Sequence, residues 1–532
     1  MIYRRSICIL FILIGLVFGQ SKRDPRSVAL AGAYSTVADG LFAVGFNPAM
    51  LAYQQDKPFM LQMFGFDFGI VGNYISFANL NALSGDTLYS KGEKPGNPNF
   101  DNKTALLNEL EEGGGLNFFQ DIHLPIPILN FSSGNMALTT NMLILQNYRL
   151  PFGLLQLVLD GNADNPDIDM TMHYEVMGVT EYAFTFAVPY EQFSVGMSFK
   201  YLQGIFYFGI DPDSSKANLV TTDEALYGNG VYYLRQGIGG SGIGLDIGLV
   251  SKDINGWRFG FSMINAIGSI TWNKENMTKD IMDGADNIYG NDDDLFHFTW
   301  AGQALNDSMA IRYVYSIDSV NASTLSNPNL FTNNDPDEQI VYVPLDEDGN
   351  LPEFTMNYPA IFRLGMSYNM KDENILISSD MWTGFSNSMF SSKGWRWSMG
   401  LEMTKFSAFP LRIGFAWGGA DFQELGLGFG IHKGPIIFDF GFAFRNGIWI
   451  HSMKGINIST QLTLTGFRGR ESKKKAGDNG PAPVPDEMDT EAVEEGAEES
   501  AEESVEEEGV EENAEGAEET VEESLPDTEE QK

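Results

Sequence analysis

The chain holds one cysteine, Cys8, and it falls inside an N-terminal segment expected to be removed, so the mature protein would carry no thiol. That excludes disulfides and thiolate metal sites. Histidine is almost as scarce: His123, His173, His297, His432 and His451 are scattered without a ligand spacing such as His-x-x-x-His. There is no Gly-x-Ser-x-Gly, no phosphate loop and no dinucleotide fingerprint. Nothing therefore points to an enzyme, and neither a cofactor nor a metal is expected. Beyond its first residues the chain lacks a charge-free apolar run near the roughly 20 residues that a membrane helix needs. A membrane location would have to be reached with strands. Basic surface is missing too, with 33 Lys and Arg against 72 Asp and Glu and a formal net charge of −39. No nucleic-acid-binding face can be built from that balance.

The charge is unevenly divided. From Asp478 onward 24 acidic residues stand against one lysine, a net of −23, which leaves −16 for residues 1–477. Pro481-Ala-Pro-Val-Pro485 reads as a stiff spacer, and the Glu-Glu repeats after it cannot bury enough apolar surface to offset chain entropy. Residues 468–532 are thus expected to form a disordered acidic tail, with Lys473, Lys474 and Lys475 near its start.

At the other end, Arg4 and Arg5, the apolar run Ile7 to Phe18, and Val17-Phe18-Gly19 have the layout of a signal peptide over 1–19. Residues 20–57 follow, rich in Ala, Gly, Ser and Val: Leu30-Ala-Gly-Ala-Tyr-Ser-Thr-Val-Ala-Asp39-Gly, then Phe46-Asn47-Pro48-Ala49. Asn47 can cap a helical turn with Pro48 in its first position. The segment has too little apolar bulk for a domain of its own and must pack inside something else.

From Pro58 the period is two. Trp257, Phe259, Phe261 and Met263 alternate with Arg258, Gly260 and Ser262, and Ile436, Phe438, Phe440, Phe442 and Phe444 alternate with Ile437, Asp439, Gly441, Ala443 and Arg445. Residues 411–418 and 425–432 repeat the pattern, as do Tyr182–Val188, Phe193–Tyr201, Ile243–Leu249, Phe362–Met370 and Trp395–Met403. Helices would need a period near 3.6, so these are strands. A soluble sandwich also alternates, but its buried faces would not accept Lys200, Asp246, Arg258, Arg363, Asp380, Arg396, Glu402, Arg412, Asp439 and Arg445. In a membrane barrel such residues line a polar lumen while aromatics face lipid.

The expected fold is therefore all-β: a transmembrane antiparallel barrel of about 14 strands over 58–467, with strands of about ten residues and the N-terminal segment as a hatch in its lumen. Asp39 would pair with a lumen arginine, with Arg258, Arg363, Arg396 and Arg412 as candidates. Long polar loops are expected at 84–115, 146–168, 274–294 and 318–357, with helices over Thr104–Glu112 and Phe152–Leu159. Asp346-Glu-Asp348-Gly349-Asn350, Asp292–Asp294 and Asp211-Pro-Asp213 invite a calcium reading. The first has Asn357 where an EF-hand places its bidentate glutamate, so solvated loop charge is the better reading.

Gly32, Ala33, Tyr34, Ala38, Asp39, Asn47, Pro48, Ala49, Leu51 and Ala52 resemble the N-terminal hatch of FadL-type fatty-acid-transporter barrels and their PorV-type relatives in protein secretion. Leu106–Leu116 and Leu150–Asn162 look like elements of an uncharacterised subgroup of these barrels. The resemblance implies a fourteen-stranded, plugged barrel in the outer membrane of a Gram-negative cell, with the tail in the periplasm. It implies a channel or transporter for small hydrophobic or amphipathic molecules. The alternative is a structural or secretion-associated scaffold that docks protein partners. Expected partners are membrane lipid, lipopolysaccharide, a small hydrophobic ligand and a periplasmic partner of the acidic tail.

Overall fold

The computed structural model describes residues 24–466, apart from 55–57, 75, 77–78, 80–87, 94, 98, 100, 162–165, 211–214, 223–224, 273–298, 301–302, 305–308, 321–339, 343–353, 387–392 and 420–422. The signal peptide 1–19, both ends of the 20–57 segment, Phe467, the tail 468–532, His297 and the three acidic loop motifs lie outside the described residues.

Fourteen antiparallel strands form the barrel wall. They are β1 Phe59–Gly72, β2 Leu116–Pro125, β3 Met136–Leu150, β4 His173–Pro189, β5 Phe193–Ile210, β6 Leu226–Ser251 and β7 Trp257–Trp272. There follow β8 Ile361–Met370, β9 Ile375–Gly384, β10 Arg396–Met403, β11 Leu411–Gly418, β12 Gln423–Lys433, β13 Ile436–Arg445 and β14 Gly455–Thr465. Each pairs with its sequence neighbour, and β1 closes on β14 from Met60↔Thr465 to Val71↔Gly455. Closure leaves the wall without an open edge, as a membrane requires.

Side-chain burial runs opposite to that of a soluble protein. Phe259, Ile413, Trp417, Leu427 and Ile431 are exposed, whereas Asp246, Arg363, Asp380, Arg412 and Arg445 are buried. Cross-strand register keeps the two classes apart, with Glu402 opposite Arg412 and Met399 opposite Phe415. A slip of one residue would turn every charge outward.

Strands β1 and β3–β7 run 14 to 26 residues, longer than the expected ten. The longest, β6, continues past the wall and pairs there with the short strand Lys216–Thr221 and with Met309–Val320. At the end where β1 begins and β14 finishes, connections such as 190–192, 252–256 and 371–374 are short. At the other end 73–115, 151–172 and 385–395 are long.

Residues 24–54 lie inside the barrel at the short-turn end, almost entirely buried. Asp24 starts helix α1, Pro25–Ala29, by accepting from the backbone N–H groups of Arg26 and Ser27, and proline suits the first position. Two 3-10 turns follow, Gly40–Ala43 and Pro48–Tyr53, and the Asn47 side chain accepts from the Ala49 N–H at 3.1 Å. At the long-loop end stand α2, Asn102–Glu112, and α3, Phe152–Leu159. Asp101 caps α2 and Gly113 ends it. Leu106 and Leu110 of α2 share an apolar cluster with Phe152, Leu155 and Leu159 of α3.

Candidate functional site within the barrel

The inward glycines of the wall make room for the backbone of the internal segment. A Cβ at Gly414 would stand 2.2 Å from the Leu30 carbonyl carbon, one at Gly426 2.3 Å from the Val28 oxygen, and one at Gly441 2.3 Å from the Pro25 oxygen. On the opposite wall a Cβ at Gly196 would lie 2.2 Å from the Ala49 nitrogen. Between these seats the wall supplies hydrogen bonds to backbone groups that no sheet satisfies. Ser262, Ser378 and Ser194 hydroxyls donate to the carbonyls of Phe46, Ala33 and Ala49 at 2.6, 2.7 and 3.1 Å. The Asp380 carboxylate accepts from the N–H groups of Tyr34 and Ser35 at 3.1 and 2.8 Å. Gly32, Ala33, Asn47, Pro48 and Ala49 are all buried.

The segment also contributes an ion pair to the wall through Arg26, a residue not among those expected. Arg26 donates through Nε and Nη2 to both oxygens of Glu402 on β10, at 2.6 and 3.0 Å. Glu402 also accepts from Arg412 Nε at 2.7 Å, Arg412 Nη1 reaches Asp439 at 2.7 Å, and His432 Nε2 lies 3.0 Å from the same Asp439 oxygen. Burial alone would pull the Arg26 guanidinium down. The Glu402 carboxylate outweighs it and holds the group above its ordinary value. Asp39 lines a cavity of about 210 Å³ together with Arg26, Tyr53, Asp253 and Arg258, the last being one of the arginines expected to face it. Nothing about Arg26 in the sequence marks it, since it precedes the hatch motif and sits on no strand.

The remaining lumen candidates fall into separate clusters. Lys200 Nζ meets Asp246 at 2.9 Å and donates to Asn265 Oδ1 at 2.8 Å. Asn265 adopts φ 52° at a bulge in β7 that turns its N–H toward Asp246, 2.8 Å away. Glu181, missed from sequence, accepts from the Tyr358 hydroxyl in the same region. Arg363 lies between Phe46 and Trp382, 5.1 and 5.3 Å from their ring centroids. Arg258 stacks 4.5 Å over Tyr53 and donates to the Thr36 carbonyl at 3.4 Å. Arg396 pairs with Glu424 at 2.6 Å and Arg445 with Asp121 at 3.2 Å. Strand parity alone could have found Glu181, Glu424 and Asp121, because each shares its inward face with residues already singled out.

Beyond the internal segment the lumen has two sides. On β1–β9 Phe119, Leu145, Leu202, Ile264, Ile270, Trp272 and Trp382 form one buried apolar cluster, with polar inward neighbours such as Asn117, Asp121 and Asn147 beside it. On β10–β14 the inward positions at the same end hold the Arg396–Glu424 pair, Arg445 and Asn457. The expected lumen charges are present, and beside them the structure adds an apolar cluster that the sequence reading did not assign.

Residues 48–235, beginning at the proline of Asn47-Pro48-Ala49, match the model of a family of unknown function (DUF5723). No curated protein matches the chain. Among solved structures it is similar to the toluene transporter TbuX of Ralstonia pickettii, with 13% identity over 84% of this chain and 99% of that one, at a TM-score of 0.43. It is also similar to the CymD monoaromatic hydrocarbon channel, with 13% identity, 85% and 99% coverage and a TM-score of 0.44. A FadL homologue of Pseudomonas aeruginosa gives 13% identity, 84% and 99% coverage and a TM-score of 0.43.

Proposed function

We propose that the protein is an outer-membrane channel for small hydrophobic or amphipathic molecules, with residues 24–54 as its plug. The observation that carries this reading is the buried apolar cluster on the inner face of β1–β9. A water-filled pore has a polar interior. Trp272, Trp382, Phe119 and Leu145 are packed in that cluster with almost no exposed surface, so an apolar solute would gain contact with them only as the plug or the packed side chains move aside. The paired charges on the facing arc suit the polar end of an amphipathic solute. Below them the plug, seated on glycines and tied through Arg26, blocks the remaining path. The test is entry of labelled aromatic hydrocarbons and of a labelled sugar into vesicles holding the full chain or one lacking 26–52. Faster hydrocarbon entry with the full chain, and entry of both after deletion, is expected. Hydrocarbon entry no faster than into protein-free vesicles, for both forms, would refute the proposal.

A further inference from the structure

The lipid-facing side of β1–β4 carries a depression of about 330 Å³ that neither plug nor lumen uses, lined by Ile70, Phe118, Gln120, Gln146, Tyr148 and Tyr174. These residues form two adjacent cross-strand rows, Ile70–Gln120–Gln146 and Phe118–Tyr148–Tyr174. Their chain neighbours Val71, Phe119, Asp121, Leu145 and Asn147 are buried inside the barrel, so both rows point outward.

Height along the wall places the depression. From Phe59, at the plug end of β1, to Ile70 a strand tilted near 45° climbs roughly 25 Å, the height of a barrel's apolar band. The rows therefore lie where hydrocarbon gives way to headgroups, on the rim with the long connections. Outer-membrane barrels turn that rim to the cell exterior.

Gln120 and Gln146 place two carboxamides side by side on this outward face. Neither Gln120 nor Gln146 makes a side-chain hydrogen bond to another described residue, and amides without partners are costly at the edge of hydrocarbon. Tyr148 and Tyr174 pack edge to face at 6.1 Å beside them, leaving ring faces and hydroxyls at the same level. No charged residue lines the depression. A phosphate or carboxylate would find no counter-charge, whereas a secondary amide would find both its donor and its acceptor matched by a carboxamide. An acyl chain descending from that amide would lie along Ile70 and Phe118.

We propose, resting on the membrane-spanning reading above, that this groove binds the N-acylated sugar of an outer-leaflet glycolipid. The sugar amide pairs with Gln120 and Gln146, and the ring lies against Tyr148 and Tyr174. A photo-crosslinking residue is placed at Ile70, or at Trp397 as an outward control on β10, in the full chain in native outer membranes. Captured lipids are then identified by mass spectrometry. Ile70 should capture glycolipid several-fold more than Trp397, and the pair Gln120→Leu and Gln146→Leu should remove that excess while heat-modifiable migration shows an intact barrel. Equal capture at both positions, or phospholipid at Ile70, would overturn the site. No lipid at either position would instead overturn the membrane-spanning reading.

Discussion

Replacing Arg26 with alanine removes a side chain that ties the plug to the β10–β13 charge ladder. The side chain donates twice to Glu402, once to the Val37 carbonyl at 2.7 Å, and lies 5.7 Å from the Tyr34 ring centroid. Taking one partner from a buried pair costs about 3–5 kcal/mol when the other charge is stranded. Glu402 is not stranded here, because Arg412 remains 2.7 Å away. A loss of about 2–4 kcal/mol in plug seating follows, which multiplies the unseated population by about 30 to 700. Closure of the wall is unaffected, since Arg26 sits on no strand. Hydrogen exchange over residues 24–54 should accelerate in R26A, conductance in planar bilayers should become noisier or larger, and wall strands should exchange as before. Arg26→Lys should fall between, because an ammonium keeps the charge and loses the two-point geometry. If R26A exchanges like the parent across 24–54, the ladder does not hold the plug.

Three further outcomes test the wall. Phe440→Arg, in mid-strand on the lipid face and packed on Phe429 at 5.5 Å, should cost about 2–4 kcal/mol in a lipid-folded titration. Gly414→Val drives side-chain carbon into the Leu30 backbone, so plug residues should become protease-sensitive while the barrel keeps its heat-modifiable migration. Overpacking of this kind costs about 1–3 kcal/mol. Lys200→Met strands Asp246 and should destabilise by about 3–5 kcal/mol in urea unfolding from lipid. Lys200→Met with Asp246→Leu should recover most of that loss.

Strand parity made much of the wall legible. Where one face meets lipid and the other meets plug or charge, as in β11 with Leu411, Ile413, Phe415 and Trp417 against Arg412, Gly414 and Ala416, a single sequence shows the alternation directly. The far half of β1–β9 offers no such contrast. Met142, Leu143, Ile144 and Leu145 are all apolar because alternate residues face lipid and the inner cluster. Sequence reading assigned no lumen residues there, and the apolar arc was missed for that reason. The glycines were legible as small inward residues but not as seats, because what lies against them comes from residues 147 to 416 positions earlier in the chain.

Charge in the lumen weighs on cargo only where it is free to act on a solute. Arg26, Glu402, Arg412 and Asp439 neutralise one another against the plug, and Lys200 is matched by Asp246 at 2.9 Å. Groups so paired project little field into the space beyond them, since opposite charges a few ångströms apart cancel at larger distance. Arg363 is flanked by Phe46 and Trp382 rather than by open lumen. Arg363 also acts on the buried Asp380 carboxylate, which itself accepts from the Tyr34 and Ser35 N–H groups, so its charge too is compensated against the plug.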